Sequence, residues 1–503
     1  MKVTLINPNI ISQKGDFFGS GIPFMPITLA YTAAYLREKG HEILVIDAFG
    51  ENPTKITVKK NLFIQGLNVE EIISLVPSDT EAIILYASLV ITHQANLQII
   101  KKLKEKFSVP LIILENIHSV VGYSLLTMHE DFLNEGVNFI ILGDPEKRCA
   151  EVLDCLKKKK MPASDGLIFL DKEKKIIRPN KTYARDLDAL PFPAWELFPV
   201  KNYWALDYSH APIKKSYLPL LTSRGCPSQC EFCITPLLMG KIWRARSAKN
   251  VVNEIEDYIK RFGVHEFHIE DFNPTVDKRR IIELCQEIIR RELDVELKIV
   301  AGAKAETIDT FTLDWMKKAG FTYVSISPES GSKRVLEKMK KVFDYGHGLR
   351  LVQHMHKLGI TSQACFVIGF PGEEKSDRCL SRQYIKQLVK AGIDEIALFI
   401  MTPIPGSAAC GYSPLGYKNL SQLTFSPIWR KAYRSLGRYR RDTYFLFLLW
   451  KLRYHPIKLL RHPVNVLTKR FNTKMEMALW RVLRMHLKVL GRKKAMKRAD
   501  GEL

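Results

Sequence analysis

Two successive series of short apolar segments, each alternating with amphipathic helical spacing, constrain the fold of this chain more than any other feature. The first series occupies the opening third of the 503 residues. Strands that alternate with helices build parallel sheets with helices on both faces. We therefore predict an α/β protein that begins with a doubly wound parallel sheet. Its expected strands are Val3–Ile6, His41–Ile46, Ala82–Tyr86, Leu111–Leu114 and Phe139–Leu142, with helices such as Ile27–Lys39 and Leu97–Phe107 between them.

A second alternation begins at Tyr217 and contains six apolar segments separated by helical spacing. Six such units predict a partial (β/α)6 barrel of the TIM type, with chemistry at the carboxyl ends of its strands. The expected strands are Tyr217–Thr222, Glu266–Ile269, Glu296–Val300, Tyr323–Ser327, Ala364–Ile368 and Glu395–Ile400, with helices such as Asn250–Phe262 and Lys278–Glu292.

The chain is too long for one ordinary domain, and its composition changes along its length. We predict a Rossmann-like domain over residues 1–160, a linker over 161–215, the barrel over 216–410 and a basic helical region over 411–503. The linker is rich in Pro, charged and aromatic residues.

The C-terminal region carries most of the positive charge. From Gly411 to Leu503 there are 22 Lys and Arg against four Asp and Glu, so +18 of the total +23 lies there. A concentration of positive charge of this size favours an anionic partner. The run Tyr444–Trp450 is followed by Lys451, Arg453, Lys458 and Arg461, and later by apolar residues such as Leu487 and Leu490. Two interpretations stay open: a helix that lies on a membrane surface, and a helical cap on the barrel with solvated charges. No nucleic-acid recognition motif is present, so nucleic acid is not the expected partner.

The nine cysteines and the first residues of the chain indicate the cellular compartment of the protein. The first residues lack a signal-peptide pattern, and no apolar run reaches the ~18 residues of a membrane-spanning helix. An odd number of cysteines argues against a disulfide framework. We expect a cytoplasmic protein, with peripheral membrane contact under the first interpretation of the tail, and clustered cysteines that bind metal.

Three cysteines fall within eight residues, directly after the first expected barrel strand. Cys226, Cys230 and Cys233 have the spacing CxxxCxxC. Three thiolates on one loop can bind three irons of a 4Fe–4S cluster, which leaves the fourth iron open to another ligand. The alternative is a zinc site, but structural zinc takes four ligands. Neither a His nor a fourth Cys lies nearby, since Cys285 is far along the chain.

This loop resembles the signature of the radical S-adenosylmethionine (SAM) superfamily. Ser327-Pro328-Glu329-Ser330-Gly331, Gly369-Phe370-Pro371-Gly372-Glu373 and Pro403-Ile404-Pro405-Gly406 resemble further segments of that family, in the same order. The resemblance implies that the open iron binds SAM, and that a one-electron reductant such as flavodoxin or ferredoxin drives its cleavage to a 5′-deoxyadenosyl radical. It also implies SAM contacts from Phe232, Glu329, Ser330, Gly369, Pro371 and Gly372.

The first domain resembles the cobalamin-binding domain of one radical SAM subclass, which includes methylases, anaerobic cyclases and lipid-modifying enzymes. The segments that carry this resemblance include Met25–Ala30, Val45–Ala48 and Leu190–Pro193. The DxHxxG motif is absent, and Glu115 and Asn116 stand where the family usually has glycines, although His118 keeps its place. Bound cobalamin and a scaffold without cofactor are both open. Only Cys149 and Cys155 precede the loop, which excludes the second cluster of a methylthiotransferase.

Three functional classes follow. The favoured one is a radical SAM enzyme that modifies an unactivated carbon of a lipid-like or hydrophobic substrate, by methyl transfer, cyclisation or C–C bond formation. The second is a cobalamin-independent enzyme that acts on a soluble metabolite or peptide. The third is a protein that binds or modifies RNA through its basic tail.

Overall fold

A computed structural model describes residues 1–13, 21–59, 62–119, 122–162, 165–171, 173, 176–177, 180–412 and 420–484. Its architecture is the predicted one: a parallel sheet, a partial barrel and a helical C-terminal region.

The first sheet has seven strands, of which the five predicted ones are parallel. In spatial order they are Glu42–Asp47, Lys2–Asn7, Ala82–Ala87, Leu111–Glu115 and Phe139–Ile141. The direction of winding changes between Lys2–Asn7 and Ala82–Ala87, and doubly wound sheets bind ligands at such a point. The helices that cover the sheet are Ile27–Glu38, Ala48–Glu51, Val69–Leu75, His93–Lys106, Leu125–Asn134 and Pro145–Lys157, with a 3₁₀ turn at Val90–Thr92.

Two features of this first unit were not predicted. Antiparallel strands Leu167–Leu170 and Ile176–Ile177 extend the sheet at its edge, although they lie in the segment predicted as a linker. A separate antiparallel sheet is formed by Ile10–Gln13, Leu62–Gln65 and Ile56–Lys59. Its strands have only four residues each, which is too short for a clear alternation of apolar and polar positions.

The barrel has six parallel strands that pair in chain order, as predicted. They are Leu218–Leu220, Glu266–Ile269, Glu296–Ala303, Phe321–Glu329, Thr361–Ile368 and Glu395–Ile400. Two-residue strands Ser223–Arg224 and Arg244–Ala245 form a hairpin beside the first of them. The helices are Val200–Trp204, Thr235–Met239, Ala248–Phe262, Lys278–Arg290, Thr310–Lys318, Lys333–Lys338, Tyr345–Leu358 and Lys375–Ala391, with 3₁₀ turns at Trp195–Leu197 and Ala305–Thr307.

The helix Ala248–Phe262 shows how the sequence fixes these elements. The Ser247 hydroxyl caps its start by accepting from the Asn250 amide, and such a cap contributes about 1 kcal/mol. Val251, Ile255 and Tyr258 repeat at helical spacing and are fully buried against the sheet.

The C-terminal region packs on the barrel through helices Tyr433–Tyr454 and Pro456–Thr468, after 3₁₀ turns at Ala408–Tyr412 and Leu420–Gln422. Residues 474–484 are also helical. Phe447, Phe471 and Met477 join the core. None of the helices within the described ranges has the length and apolar character that crossing a bilayer requires. Leu487 and Leu490 lie outside the described residues.

Candidate active site between the two sheets

The loop that carries the three cysteines begins at a hairpin that fixes its backbone. Ser223 pairs with Ala245 and Arg224 with Arg244. Gly225 follows with φ of +85°, and a Cβ at this position would lie 2.0 Å from the carbonyl oxygen of Ile242. Only glycine fits such an approach, so the direction in which the chain enters the loop depends on Gly225.

The three thiols lie together, half-buried, on this loop. Cys233 is close enough to both Cys230 and Cys226 for their charges to interact, and its Sγ accepts from the Thr235 amide at 3.4 Å. Burial raises the pKa of Cys230 to about 11 and also raises that of Cys233. Iron must therefore displace protons from these thiols when it binds.

The described residues contain no group of three or more His, Cys, Asp or Glu side chains placed around one ion. The three half-buried thiols on one loop are a donor set that fits three irons of a cubane, whereas structural zinc takes four ligands.

A buried ionic cluster joins this loop to the first sheet. Arg224 donates to Asp144 at 2.9 Å and to Glu146 at 2.6 Å, and Arg244 donates to Asp144 at 2.5 Å. Burial alone would raise the pKa of Asp144, but the two guanidinium groups outweigh it and lower the pKa to about 2. Because Arg224 is two residues from Cys226, the cluster fixes the cysteine loop relative to the loop that follows strand Phe139–Ile141.

Glu329 ends the fourth barrel strand in a strained conformation. Its φ is +66°, although it is not glycine, and such strain costs about 1–3 kcal/mol and is concentrated at functional sites. Its buried carboxylate lies 3.7 Å from the Lys341 ammonium. Burial raises the pKa of Glu329, and Lys341 offsets this in part.

A cavity of about 290 Å³ lies between the first sheet and the barrel. Phe232, Cys233 and Glu329 line it from the barrel, and His118 and Ser119 line it from the first sheet. Its walls are mostly apolar, which is typical of small-molecule sites. A smaller cavity of about 40 Å³ lies beside it at the switch point.

The other residues with predicted SAM contacts do not line the larger cavity. Ser330 is buried, and its hydroxyl accepts from the Ser332 amide at 3.2 Å. A Cβ on Gly369 would lie 2.5 Å from Leu436, so this glycine accommodates the helix Tyr433–Tyr454. Pro371 and Gly372 follow on the same loop, where a Cβ on Gly372 would lie 2.5 Å from the Lys338 ammonium.

At the edge of the first sheet, local hydrogen bonds hold the two side chains that stand where glycines were expected. The Glu115 carboxylate lines neither cavity, because it accepts from the amides of Leu125 at 3.1 Å and Gly143 at 3.0 Å. Asn116 donates to the Ser88 carbonyl oxygen and accepts from the His118 amide. His118 is 9 % exposed, lines both cavities, and its Nε2 has no hydrogen-bond partner among the described residues. Burial holds the pKa of His118 well below its usual value, so the ring is neutral.

Sequence reasoning missed several side chains of the cavity region. Lys341 donates to Ser327 beside Glu329, Glu270 accepts from His210 at 2.7 Å, and Lys474 reaches the cavity from the tail. None belongs to a recognised motif. A signal existed only for Glu270, which directly follows the expected second barrel strand.

Residues 220–385 match the family model of the radical SAM superfamily. This part of the chain is a radical SAM domain. Such a domain implies a 4Fe–4S cluster and SAM.

Similar proteins align with more of the chain than the matched domain. An uncharacterized methyltransferase of Pyrococcus horikoshii is 27 % identical over 86 % of this chain and 86 % of its own length. The anaerobic magnesium-protoporphyrin IX monomethyl ester cyclase of Rubrivivax gelatinosus is 25 % identical over 74 % of this chain and 63 % of its own length. The radical SAM methyltransferase TsrM of Kitasatospora setae, solved with cobalamin and a 4Fe–4S cluster, superposes with a TM-score of 0.61. It covers 81 % of this chain and 77 % of its own at 16 % identity, which shows that the fold is shared.

Proposed function

We propose that this enzyme modifies an unactivated carbon of a hydrophobic or lipid-like substrate, by methyl transfer, cyclisation or C–C bond formation. The observation that carries the proposal is the mostly apolar cavity that joins Cys233 and Glu329 to the edge of the first sheet. A substrate held there would lie beside both cofactor regions and away from water.

Cys226, Cys230 and Cys233 are the proposed ligands of the cluster, and Phe232 and Glu329 contact SAM from the cavity wall. When bound, the cluster and SAM would supply radical chemistry for hydrogen abstraction from the substrate, with an electron from a reductant such as flavodoxin or ferredoxin. Glu329 supplies an anion to the SAM ammonium or ribose hydroxyls. Ser330, Gly369, Pro371 and Gly372 shape the loops behind this wall.

We propose further that a corrinoid binds at the edge of the first sheet. His118 lines both cavities, its Nε2 has no hydrogen-bond partner among the described residues, and the Glu115 carboxylate is turned away. Cobalamin would supply a methyl donor or a redox-active cobalt when bound. The cofactor-free alternative is favoured by the absent DxHxxG motif and by the two side chains that stand where the family has glycines.

The tail is proposed to dock on an anionic membrane surface at the cytoplasmic face. Eight exposed apolar residues on two adjacent helices form what we term the apolar tail surface: Phe445, Leu448, Leu449, Leu452, Ile457, Leu460, Val464 and Leu467. The exposed residues Arg441, Arg453, Arg461, Lys469 and Arg470 lie on the same helices or just after them. Apolar area combined with cations is what interfacial binding requires. Lys451 and Lys458 point inward and donate to Asp394, so they belong to the cap.

Anaerobic purification with iron, sulfide and corrinoid analysis tests the cofactor assignments. Replacing Cys226, Cys230 or Cys233 by Ser should abolish the cluster absorption and the formation of 5′-deoxyadenosine. The exposed Cys379 is the matched control, and Cys379→Ser should retain both. Full iron content in the triple cysteine variant would refute the assignment. If the cofactor assignments are confirmed, comparison of lipid extracts from a deletion strain and its parent would identify the substrate.

A further inference from the structure

One wall of the cavity is built by the tail. Residues 474–484 form a helix of which Lys474, Met477, Ala478 and Arg481 line the cavity. These positions are spaced i, i+3, i+4 and i+7, so they share one helix face. This face presents a cation at each end and apolar side chains between them.

The first turn of this helix is inserted into the barrel. Lys474 Nζ donates to the carbonyl oxygen of Val300 at 2.7 Å and lies 5.6 Å from the ring centre of Tyr323. The neighbouring Met475 amide donates to the Glu395 carboxylate at 2.9 Å. Lys474 is therefore held by the third, fourth and sixth strands, although it is more than 70 residues beyond the last of them.

The carboxylates that line the cavity already have donors of their own. Glu270 accepts from His210 at 2.7 Å, Glu395 accepts from the Tyr323 hydroxyl at 2.5 Å, and Glu329 lies 3.7 Å from Lys341. Lys474 is close enough to feel the charges of Glu270 and Glu395, but no salt bridge among the described residues joins its Nζ to a carboxylate. An ammonium has three N–H donors, and one of those of Lys474 is used by a carbonyl oxygen.

One substrate molecule in the cavity could contact both Lys474 and the proposed SAM site near Glu329. The Cys365 thiol on the fifth strand is close enough to feel the charges of both Lys474 and Glu329. Apolar side chains line the space around it, among them Val367, Leu398 and Phe272.

We propose that Lys474 binds the anionic head group, a carboxylate or a phosphate, of an otherwise apolar substrate, whose apolar body extends from there toward Glu329. This inference rests on the proposed use of the cavity as the substrate site. Lys474 is then a specificity-determining residue supplied by the tail, and the tail completes the site that the barrel leaves open.

Binding of chain-matched amphiphiles tests the proposal on the full-length, cluster-loaded protein. Dodecanoate, dodecyl phosphate and dodecanol would be titrated by calorimetry below their micelle concentrations. At least one anionic probe should bind roughly 10-fold more tightly than dodecanol, as expected for a charge-assisted hydrogen bond. Preference for one anion over the other tells whether the head group is a carboxylate or a phosphate.

Substitutions test whether the preference for an anionic probe depends on Lys474. Lys474→Met should reduce the affinity for the anionic probe to that for dodecanol, and Lys474→Arg should restore most of it. Lys147→Met changes an exposed lysine of the first unit and should leave the affinity unchanged. Equal binding of the three probes by the wild type overturns the proposal without any variant, as does full affinity in a folded Lys474→Met protein. Iron content is measured in parallel, so loss of the cluster would refute the proposed function separately.

Discussion

At the scale of single residues, the strongest signs of function are two residues in positions that few residue types can occupy. Glu329 combines a left-handed backbone with a buried carboxylate. Gly225 occupies a position where a Cβ would collide with the backbone of Ile242. The sequence motif identified both segments, but it contained no sign of Lys341, because the contact between Lys341 and Glu329 depends on how the fourth strand and the following helix fold together.

Glu329→Gln should weaken SAM binding while leaving the cluster intact. The substitution keeps the side-chain shape but removes the charge, and hydrogen bonds to charged groups contribute about 1.5–3 kcal/mol. We expect roughly 10-fold or greater loss of SAM affinity at unchanged iron content, measured by equilibrium dialysis under anaerobic conditions. Unchanged affinity would show that Glu329 does not contact SAM.

Gly225→Ala should lower the iron content of the purified protein. The added methyl group would lie 2.0 Å from the Ile242 oxygen, so the loop must move before Cys226 can reach an iron. Gly437→Ala is the matched control, because a Cβ there has nothing within 4 Å and the residue lies inside the helix Tyr433–Tyr454. That control should keep its iron and gain up to about 1 kcal/mol in stability. Normal iron in Gly225→Ala would mean that the loop tolerates the shift.

At the scale of elements, the sequence pattern was sufficient for the parallel strands of the two sheets and for the amphipathic helices. Strands Glu266–Ile269 and Glu395–Ile400 have the predicted bounds, and most of their residues are buried. The hairpin Ser223–Arg224 with Arg244–Ala245 could not be predicted, since it is held by the long-range contacts of Arg224 and Arg244 with Asp144. The domain boundaries near residues 160, 215 and 410 stay predictions.

Arg224→Met should destabilise the junction of the two sheets. Removing one partner of a buried ion pair leaves the other charge uncompensated and costs about 3–5 kcal/mol. Both partners are at most 4 % exposed, so solvent cannot replace the lost contacts. Chemical denaturation measures the change in the free energy of unfolding. Arg290→Met breaks an exposed pair with Glu287 and should cost less than about 1 kcal/mol. Similar losses in the two variants would contradict a special role for the buried cluster.

At the scale of the whole molecule, the tail has one face that packs on the barrel and one face that is exposed. Phe447 and Lys451 are buried against the barrel, and Lys474 enters the cavity. Phe445, Leu460 and Leu467 point outward and are 63, 67 and 84 % exposed. The cap and the membrane-surface interpretations are therefore compatible. One face of the tail packs on the barrel as a cap, and the exposed face is available to a membrane surface. Because of the first role, removal of the tail would expose core residues, and point substitutions are the better test of the second.

Vesicle sedimentation should detect binding to the anionic lipid phosphatidylglycerol and much weaker binding to phosphatidylcholine. Each basic residue near an anionic surface contributes about 1 kcal/mol, and salt screens this attraction. High salt should therefore release part of the protein. Leu460→Ser with Leu467→Ser should reduce binding without loss of stability, because both side chains are exposed. Val58→Ser, at an apolar residue of the first unit that is 52 % exposed, should change nothing. If the wild type stays in the supernatant with anionic vesicles at low salt, the tail does not bind membranes, and an acidic protein partner becomes the better explanation of its charge.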